Sequence, residues 1–358
     1  MSALQLYAGP TALRALRRDG LQAKQFRMIV GASGGPKWFV LYGLDRYLFG
    51  DFFSRGSQPL ATLGSSAGAW RLACLGLADP LAGIDRLASH YSRQRYSARP
   101  TMQEISMEAR KLVETMLGPG GAPEIANNAR VSVHIVADRA RGLLRSDSKP
   151  LLRGGLALCA AANALSRRSL RLSFERVLFH AGEPVPSLTR LRDLPTRCVQ
   201  LTERNVREAL LASGSIPLVM EGVRNVPGAP LGVYRDGGIV DYHFDLPFFD
   251  GEGLVLYPHF YPHLTPGWFD KSLRWRRVNP VYYDNVLLLA PSAEFVAGLP
   301  YGKIPDRKDF ETMDDATRFA YWQTVLGESV RLAEEFAHMA ETGAGLERIR
   351  PFTEIMNR

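Results

Sequence analysis

Two serines in this sequence lie in the pattern Gly-x-Ser-x-Gly: Ser33 within residues 31–35, and Ser66 within residues 64–68. The pattern is typical of a sharp turn from a strand into a helix, which exposes the serine hydroxyl as a nucleophile for acyl transfer. Small residues around such a turn allow two backbone segments to approach closely. Both matches follow a predicted strand and precede a predicted helix, so the pattern alone does not select the nucleophile.

The residues that follow each serine favour Ser66 as the nucleophile. Its turn continues with small residues, as close packing of a helix on its own strand requires. Residues 33–37, called the glycine loop below, instead have two glycines before a proline and a lysine. Successive glycines expose backbone N–H groups that can bind an anion or an oxyanion. We therefore interpret the glycine loop as an anion-binding segment that offers the amides of Gly34 and Gly35 and the charge of Lys37.

The glycine loop does not fit the two common nucleotide-binding motifs. A P-loop starting at Gly31 needs glycine at position 36 and serine or threonine at position 38, where this chain has Pro36 and Trp38. A dinucleotide-binding fingerprint needs glycine at positions 31, 33 and 36, where this chain has Gly31, Ser33 and Pro36. Both comparisons disfavour nucleotide binding.

A third element is Asp236-Gly237-Gly238 at the end of a predicted strand. An Asp-Gly pair is common in ordinary turns. The same position is also suited to a carboxylate base, because ligands of open α/β sheets bind where the parallel strands end. The motif alone leaves both interpretations open.

These residues must be positioned by elements that alternate between short apolar runs and longer amphipathic runs. The pattern predicts strands at 27–30, 60–63, 131–137, 176–180, 198–201, 233–235, 254–257 and 286–290. It predicts helices at 37–48, 67–77, 80–91, 102–117, 151–165 and 203–211, and one long helix at about 314–342. Such alternation indicates an α/β fold with a mainly parallel sheet. We expect one domain over residues 1–358, because no repeat or linker divides the chain.

Composition excludes several classes of protein. The 358 residues are 46% hydrophobic and 22% charged, which is ordinary for a globular protein and excludes a disordered chain. The three cysteines form no CxxC pair, which argues against a disulfide framework and a zinc site. The longest apolar run, residues 156–165, is too short to span a bilayer. With no obvious signal peptide at the N-terminus, we expect a cytoplasmic protein.

The net charge of +8 is unevenly distributed. Residues 138–176 contain nine basic and three acidic residues. A second basic run mixes Lys271, Arg274, Arg276 and Arg277 with the aromatic residues Phe260, Tyr261, Trp268, Phe269 and Trp275. That mixture is typical of a segment in peripheral contact with an anionic membrane, and equally of a packed loop with a solvated basic edge. We expect no nucleic-acid partner.

Taken together and in order, the motifs resemble those of the patatin-like phospholipases over about residues 27–247. The glycine loop resembles the oxyanion loop of that family, with Ser33 in place of its first glycine. Residues 64–68 resemble its nucleophile elbow, and residues 236–238 resemble its Asp-Gly-Gly motif. Residues 212–217, Ala-Ser-Gly-Ser-Ile-Pro, resemble the Ala-Ser-x-x-x-Pro segment that precedes that motif.

The resemblance implies a three-layer α/β/α sandwich with a mainly parallel central sheet. It implies a hydrolase of lipid acyl esters, such as phospholipids or lysophospholipids, with Ser66 as nucleophile and Asp236 as base. The amides of Gly34 and Gly35 and the charge of Lys37 would then stabilise the oxyanion, without cofactor or metal. Four further glycines would shape the motifs: Gly64, Gly68, Gly237 and Gly238.

Two alternatives remain open at the level of the sequence. One is an α/β-hydrolase triad, in which a histidine after Ser66 acts as base; the candidates are His243, His259, His263 and His338. The early position of the elbow and the absence of a His-Gly-Gly-Gly motif argue against it. The other is a lipid- or partner-binding protein that keeps the fold with little or no turnover.

Overall fold

The computed structural model describes residues 2–54, 56–249 and 251–356, and the strands in these ranges form one sheet. The strands are β1 Leu4–Ala8, β2 Phe26–Gly31, β3 Leu60–Ser65, β4 Val131–Ala140, β5 Phe174–His180, β6 Thr196–Gln200, β7 Val223–Arg224, β8 Val233–Asp236, β9 Leu254–Pro258, β10 Val286–Pro291 and β11 Arg350–Pro351. All eight predicted strands are confirmed, with bounds that differ by at most about three residues. The short β7 and β11 and the edge-proximal β1 are additional.

The sheet is mixed but mostly parallel. Its main order is β11-β1-β10-β9-β2-β3-β4-β5-β6, and β7 pairs with β8, which in turn pairs with β4. The central run from β10 through β9, β2 and β3 to β4 is parallel throughout. These central strands are apolar and buried, as expected for a parallel sheet covered by helices. The expected α/β fold class is therefore confirmed.

Helices flank the sheet. The α-helices of the described ranges are α1 Pro10–Asp19, α2 Tyr42–Tyr47, α3 Ala67–Ala73, α4 Pro80–Ser92, α5 Met102–Leu117, α6 Gly121–Ala126, α7 Lys149–Leu165, α8 Leu170–Ser173, α9 Pro186–Thr189, α10 Val206–Gly214, α11 Ala293–Gly298, α12 Asp309–Thr312, α13 Asp315–Glu328, α14 Val330–Thr342 and α15 Thr353–Met356. Short 3₁₀ helices at Gly35–Leu41, Gly237–Ile239 and Trp268–Asp270 line the cavity that contains Ser66, and one at Gly142–Arg145 packs on α7. The other 3₁₀ helices are Ala23–Gln25, Cys74–Gly76, Arg167–Ser169, Pro280–Tyr283, Pro300–Gly302 and Leu346–Arg348, and Leu48–Phe52 is a π-helix.

Four predicted helices differ from the structure. The helix predicted at 67–77 is α3, which ends at Ala73, followed by the 3₁₀ helix Cys74–Gly76. The helix predicted at 314–342 is two helices, α13 and α14, that meet at Ser329. The hydroxyl of Ser329 accepts a hydrogen bond from the amide of Gly43, so α2 packs against the chain at this junction. The segment predicted as helix 37–48 begins as a 3₁₀ helix whose residues 38–41 are all buried, rather than as an amphipathic α-helix. The helix predicted at 203–211 starts three residues later, at Val206.

Strand β4 brings two distant parts of the chain to one point. Along one edge, its first part lies parallel to β3, with Ser65 opposite Val136. Farther along the same strand it lies antiparallel to β8, with Asp236 opposite Ala137. Because Val136 and Ala137 are consecutive, the last residues of β3 and β8 meet end to end beside β4. The residue after β3 is Ser66, so the two candidate catalytic residues are brought together by strand pairing.

Helix α3 packs on β2 and β3 at van der Waals distance between backbones. A Cβ atom added at Gly68 would lie 2.0 Å from the carbonyl oxygen of Gly31. One added at Gly64 would lie 2.6 Å from the amide nitrogen of Ala69. The glycines of the second Gly-x-Ser-x-Gly match are therefore required by packing, and they set how closely Ser66 lies to the sheet.

A second hydrophobic core, apart from the main one, holds α7. Leu152, Leu156 and Cys159 on the inner side of α7 pack with residues of β4, β5 and the Trp268–Asp270 turn.

In the described parts of the chain, the helices are too short or too polar to cross a membrane.

We expect Gly68→Ala to destabilise the protein strongly, because its methyl group would overlap the Gly31 carbonyl. Overpacking of this kind costs about 1–3 kcal/mol, and an overlap with backbone should lie at the upper end. The matched control is Gly154→Ala on α7, where an added Cβ meets nothing within 4 Å and alanine favours the helix. Chemical denaturation followed by circular dichroism measures both changes; equal stability of the two variants would contradict the packing argument.

Candidate active site

Ser66 forms a strained turn between β3 and α3. Its backbone has φ 56° and ψ −130°, a region that non-glycine residues rarely adopt and that costs on the order of 1–3 kcal/mol. The amide of Ser66 donates a hydrogen bond of 2.9 Å to the hydroxyl of Ser213. That hydroxyl donates in turn to the carbonyl of Val136, 2.6 Å away. The turn is thus held by α10 and β4 in the shape expected of a nucleophile elbow.

Asp236, the last residue of β8, lies directly against Ser66. The hydroxyl of Ser66 donates a hydrogen bond to Oδ2 of Asp236 at 2.7 Å. The other carboxylate oxygen, Oδ1, accepts the amide of Gly238 at 2.7 Å. The backbone amide of Asp236 donates to the carbonyl of Ser215, which fixes the end of the strand. Both Ser66 and Asp236 are only 6% exposed.

Burial makes Asp236 a stronger base than an ordinary aspartate. Removal from water raises the pKa of its carboxyl group to about 6, and the hydrogen bonds from Ser66 and Gly238 oppose this increase. The positive charges of Arg307 and Lys271 also oppose it. A carboxylate with a pKa near the working pH, hydrogen-bonded to a serine hydroxyl, is suited to accept the proton of that serine.

The glycine loop lies over the same site. Among the described residues, the backbone amides of Gly34 and Gly35 have no hydrogen-bond partner, and both glycines line the cavity that contains Ser66. The amide of Ala67, the residue after Ser66, is likewise without a partner within the described ranges. Three backbone donors therefore lie near the serine, two of them from the loop that the sequence indicated.

Ser33 has a structural position rather than a nucleophilic one. Its amide donates a hydrogen bond to the carbonyl of Tyr242 at 2.9 Å, and its hydroxyl donates to the hydroxyl of Ser65 at 2.9 Å. A Cβ atom at Gly238 would lie 2.3 Å from the Ser33 hydroxyl oxygen. Ser33 therefore ties the glycine loop to β3 and to the segment after Asp236, and only glycine fits at 238.

The remaining motif glycine, Gly237, also lies where a side chain cannot fit. A Cβ atom there would be 2.2 Å from the carbonyl oxygen of Val136. The close contact belongs to the same β4 edge that pairs with β3 and β8. Gly64, Gly68 and Gly237 are thus points of close backbone approach around Ser66 and Asp236, and Gly238 is a point of close approach to the Ser33 side chain.

The site opens into a cavity of about 440 Å³. Its apolar wall comes from α7, from residues 216–219 and from the Trp268–Asp270 turn, and its mouth carries charged residues. The lining residues are Ser33, Gly34, Gly35, Lys37, Ser66, Leu156, Ile216, Pro217, Leu218, Val219, Asp236, Gly238, Ile239, Tyr242, Trp268, Lys271, Asp306, Arg307 and Lys308. A larger groove of about 820 Å³ lies beside the starts of β2 and β9, away from the serine and aspartate.

Positive charge is concentrated at this cavity. Burial lowers the pKa of Lys37; the carboxylate of Asp306 opposes this decrease, and the charge of Arg307 adds to it. The ammonium group of Lys271 lies 3.8 Å from the centre of the Tyr242 ring. Partial loss of solvent lowers the pKa of Lys271 to about 8, and the charges of Lys37 and Arg307 act in the same direction. Cations that repel one another in this way are suited to bind an anion.

The histidines do not form a triad with Ser66. Within the described ranges, no hydrogen bond joins a histidine to Ser66 or Asp236. The Nδ1 atom of His243 accepts the amide of Thr265, and burial lowers the pKa of His243 well below its usual value. Burial likewise lowers the pKa of His259 to about 3. His263 and His338 are exposed. The hydrogen bonds therefore favour Asp236 over a histidine as the partner of Ser66.

Part of the predicted interfacial segment is buried. Phe260 and Phe269 belong to the hydrophobic cores and cannot contact a membrane, which corrects that part of the interpretation. Trp268 and Trp275 are 40% and 68% exposed.

Sequence reasoning left out three contributors to the site. They are Ser213, which holds the elbow, Tyr242, whose carbonyl holds the glycine loop, and Arg307 at the cavity mouth. Only Ser213 could have been found from the sequence, by its place in the Ala-Ser-x-x-x-Pro segment.

Among the described residues, no three histidine, cysteine, aspartate or glutamate side chains are grouped to hold a metal ion.

Comparison with known proteins gives a distant structural match and no sequence family. No protein-family model matches the chain, and no curated protein matches its sequence at a significant level. Among solved structures, VipD from Legionella pneumophila aligns with a TM-score of 0.31 and 14% sequence identity. The alignment covers 65% of this chain and 50% of the VipD chain, so this chain spans about half the length of VipD.

We expect Asp236→Asn to stabilise the protein at high pH only. The carboxyl group has a pKa of about 6 in the fold, against about 3.9 in an unfolded chain, so ionisation opposes folding above about pH 6 and has no effect below about pH 4. Two pKa units correspond to about 3 kcal/mol. The free energy of unfolding should therefore rise by about 2–3 kcal/mol at pH 8 and stay nearly unchanged at pH 4.

Denaturation at the two pH values measures this difference. Asp19→Asn is the control, because a hydrogen bond from Arg18 lowers the pKa of the exposed Asp19. Replacing this carboxylate should give no increase in the free energy of unfolding at pH 8. An equal change in the free energy of unfolding of Asp236→Asn at both pH values would show that burial does not raise the pKa of this carboxyl group.

Proposed function

We propose that this chain is a serine acyl hydrolase of the patatin-like type that cleaves lipid acyl esters. The observation that carries the proposal is the hydrogen bond of 2.7 Å between the Ser66 hydroxyl and the Asp236 carboxylate, in a largely apolar cavity with unpaired backbone amides beside it. The motif resemblance supports the same assignment. The hydrogen bonds of the histidines support a two-residue site rather than a triad.

The reaction proceeds in two halves. Ser66 Oγ attacks the ester carbonyl carbon while its proton passes to Asp236 Oδ2, which forms a tetrahedral intermediate with a negatively charged oxygen. Asp236 then donates that proton to the leaving alcohol, and the acyl group remains on Ser66. In the second half, Asp236 accepts a proton from water as the water attacks the acyl-enzyme. Asp236 returns this proton to Ser66 Oγ as the second intermediate collapses, which releases the fatty acid and restores both the Ser66 hydroxyl and the carboxylate.

The oxyanion needs donors that are already in place. The amides of Gly34, Gly35 and Ala67 supply them, and a single such donor contributes roughly 3 kcal/mol to the transition state in known oxyanion holes. Lys37 adds positive charge at the same wall of the cavity. These groups cost no reorganisation during the reaction, because the hydrogen bond from Ser33 to Tyr242 holds the loop before substrate arrives.

The cavity indicates the class of ester. Leu156, Ile216 and Leu218 form an apolar wall suited to an acyl chain. Lys271 and Arg307 at the mouth are suited to an anionic headgroup such as a phosphate. Within the described ranges, Arg307 takes part in no ion pair, so its charge is available to a ligand. A phospholipid or lysophospholipid combines both features.

Ser66→Ala should abolish both ester hydrolysis and covalent labelling by a fluorophosphonate probe, because the attacking oxygen is removed. Ser33→Ala should leave labelling intact, since the Ser33 hydroxyl bonds to Ser65 and not to the base. Gel fluorescence of the labelled protein and mass spectrometry of the modified peptide measure the result. Labelling that survives in Ser66→Ala and disappears in Ser33→Ala would reverse the assignment of the nucleophile.

Asp236→Asn should reduce kcat/KM by about 10²–10⁴-fold, the usual effect of losing a general base. Hydrolysis by the parent should decrease as the pH falls through about 6, because protonated Asp236 cannot accept the serine proton. The matched variants are His243→Gln and His259→Gln, which we expect to retain activity if they fold.

Melting temperatures of these variants identify any loss of activity that is due to unfolding. Near-normal turnover by Asp236→Asn, together with an inactive but folded histidine variant, would refute the proposed base. Fully folded parent protein that neither labels nor hydrolyses esters would support the non-catalytic binding protein instead.

A further inference from the structure

The outer face of α7 exposes an unusual row of leucines. Leu151, Leu158 and Leu165 are 49%, 66% and 90% exposed, and Gly154 and Ala161 lie exposed between them. Spacings of three and four residues place all five positions on one side of the helix. This side is opposite Leu152, Leu156 and Cys159, which pack into the second core. The helix is therefore apolar on both its buried and its exposed sides.

Neighbouring elements extend this apolar surface. Leu143 lies in the 3₁₀ helix Gly142–Arg145, which packs on α7. Leu172 lies in α8, which follows α7 in the chain. Both leucines are exposed. We call Leu143, Leu151, Leu158, Leu165 and Leu172 together the α7 face. Twelve large apolar residues are exposed in the described chain, and the α7 face with Trp268 and Trp275 accounts for seven of them.

Buried polar contacts fasten the two tryptophans to α7. The amide group of Asn163 donates to Asp270 at 2.7 Å, and Arg167 pairs with the same carboxylate at 3.2 Å. Arg276 donates to the carbonyl of Asn163 at 2.8 Å. These bonds hold the segment that contains Trp268 and Trp275 against the end of α7 that carries Leu165.

The charges around the α7 face are almost all positive. Lys149, Arg153, Arg168, Arg171 and Arg274 are exposed. In the described ranges, Arg153, Arg168 and Arg171 take part in no ion pair.

The acidic residues of this region are not free to balance that charge. Asp138, Glu175 and Asp270 are buried, and Asp147 pairs with Arg224 and Arg235. Exposed leucines and tryptophans with an uncompensated basic border match a surface of anionic lipid headgroups over acyl chains.

The α7 face also adjoins the mouth of the active-site cavity. Leu156 on the inner side of α7 lines that cavity, as do Trp268 and Lys271 from the attached segment. A lipid surface in contact with the α7 face would therefore lie next to the opening through which an acyl chain must enter.

We propose that the α7 face, with Trp268 and Trp275, docks this protein on an anionic lipid surface. The docking is distinct from the proposed hydrolysis, since it uses residues outside the serine–aspartate pair and needs no turnover. A second copy of this chain is the less suitable occupant, because a symmetric contact through this face would bring two basic borders together. Positive charge and apolar side chains on one surface instead favour lipid.

The test measures binding to vesicles of neutral phosphatidylcholine and to vesicles that contain about one third phosphatidylserine. All variants carry Ser66→Ala, so that the lipid stays intact. Replacing Leu158, Leu165 and Leu172 together with glutamine should weaken binding to the anionic vesicles by roughly a hundredfold. The matched control replaces Met107, Leu231 and Val281 with glutamine; these residues are also more than half exposed, lie outside the α7 face and should change binding by less than about threefold.

A second pair of variants tests the charge. The first variant combines Arg153→Gln, Arg168→Gln and Arg171→Gln. It should bind anionic vesicles roughly a hundredfold more weakly, and most of the salt dependence of binding should be lost. Arg14→Gln, Arg17→Gln and Lys24→Gln remove the same charge from exposed positions at the other end of the described sheet and should have little effect.

Each outcome decides the proposal. Binding that does not depend on anionic lipid, or that the leucine variant retains, would overturn it. A parent that is dimeric by sedimentation, with a monomeric leucine variant and no vesicle binding, would assign the face to a second copy. Hydrolysis of a soluble short-chain ester by the protein with intact Ser66 is measured separately. Its absence would count against the proposed function and not against docking.

Discussion

The candidate site depends on how β4 is paired along one edge. β3 and β8 approach this edge from opposite directions and end at the consecutive residues Val136 and Ala137. Their ends carry Ser66 and Asp236, which are 170 residues apart in the chain and 2.7 Å apart at their side-chain oxygens. Because a sheet register is fixed by many hydrogen bonds at once, this distance does not depend on flexible side chains alone. The close-packed glycines and the hydrogen bond that the Ser66 amide donates to Ser213 then fix the orientation of the serine.

This arrangement opposes stability in two ways. Ser66 is held in a rarely adopted backbone conformation, and the carboxylate of Asp236 is held away from water. Both costs are concentrated at the residues that the proposed chemistry uses, and the surrounding core offsets them. A relaxed serine turn or a solvated aspartate would give a more stable protein, but the proposed base would be weaker and the proposed nucleophile less accessible.

Helix α7 connects the interior of the site to the surface of the molecule. Its inner residues complete the second core and contribute Leu156 to the cavity wall, while its outer leucines face solvent. The ion pairs of Asp270 fasten the tryptophan segment to the same helix. The cavity mouth, the basic border and the exposed apolar row are therefore parts of one rigidly supported surface. In the proposed docking, this geometry would allow a lipid to pass from the membrane into the cavity without crossing open water.

Local patterns in the sequence were sufficient for the strands, for Ser66 in its tight turn and for the α/β class, because these depend on neighbouring residues. They could not place Asp236 against Ser66, since that depends on the pairing of β8 with a strand about 100 residues earlier. The break at Ser329 and the burial of Phe260 likewise come from contacts with distant segments. The exposure of Leu158 and Leu165 could not be predicted either, because the apolar composition of α7 favours a buried helix. Tertiary structure alone decided which side chains lose contact with water. The carboxyl group of Asp236 loses it, which raises its pKa, whereas the outer leucines of α7 keep it. Both outcomes depend on how the whole chain packs.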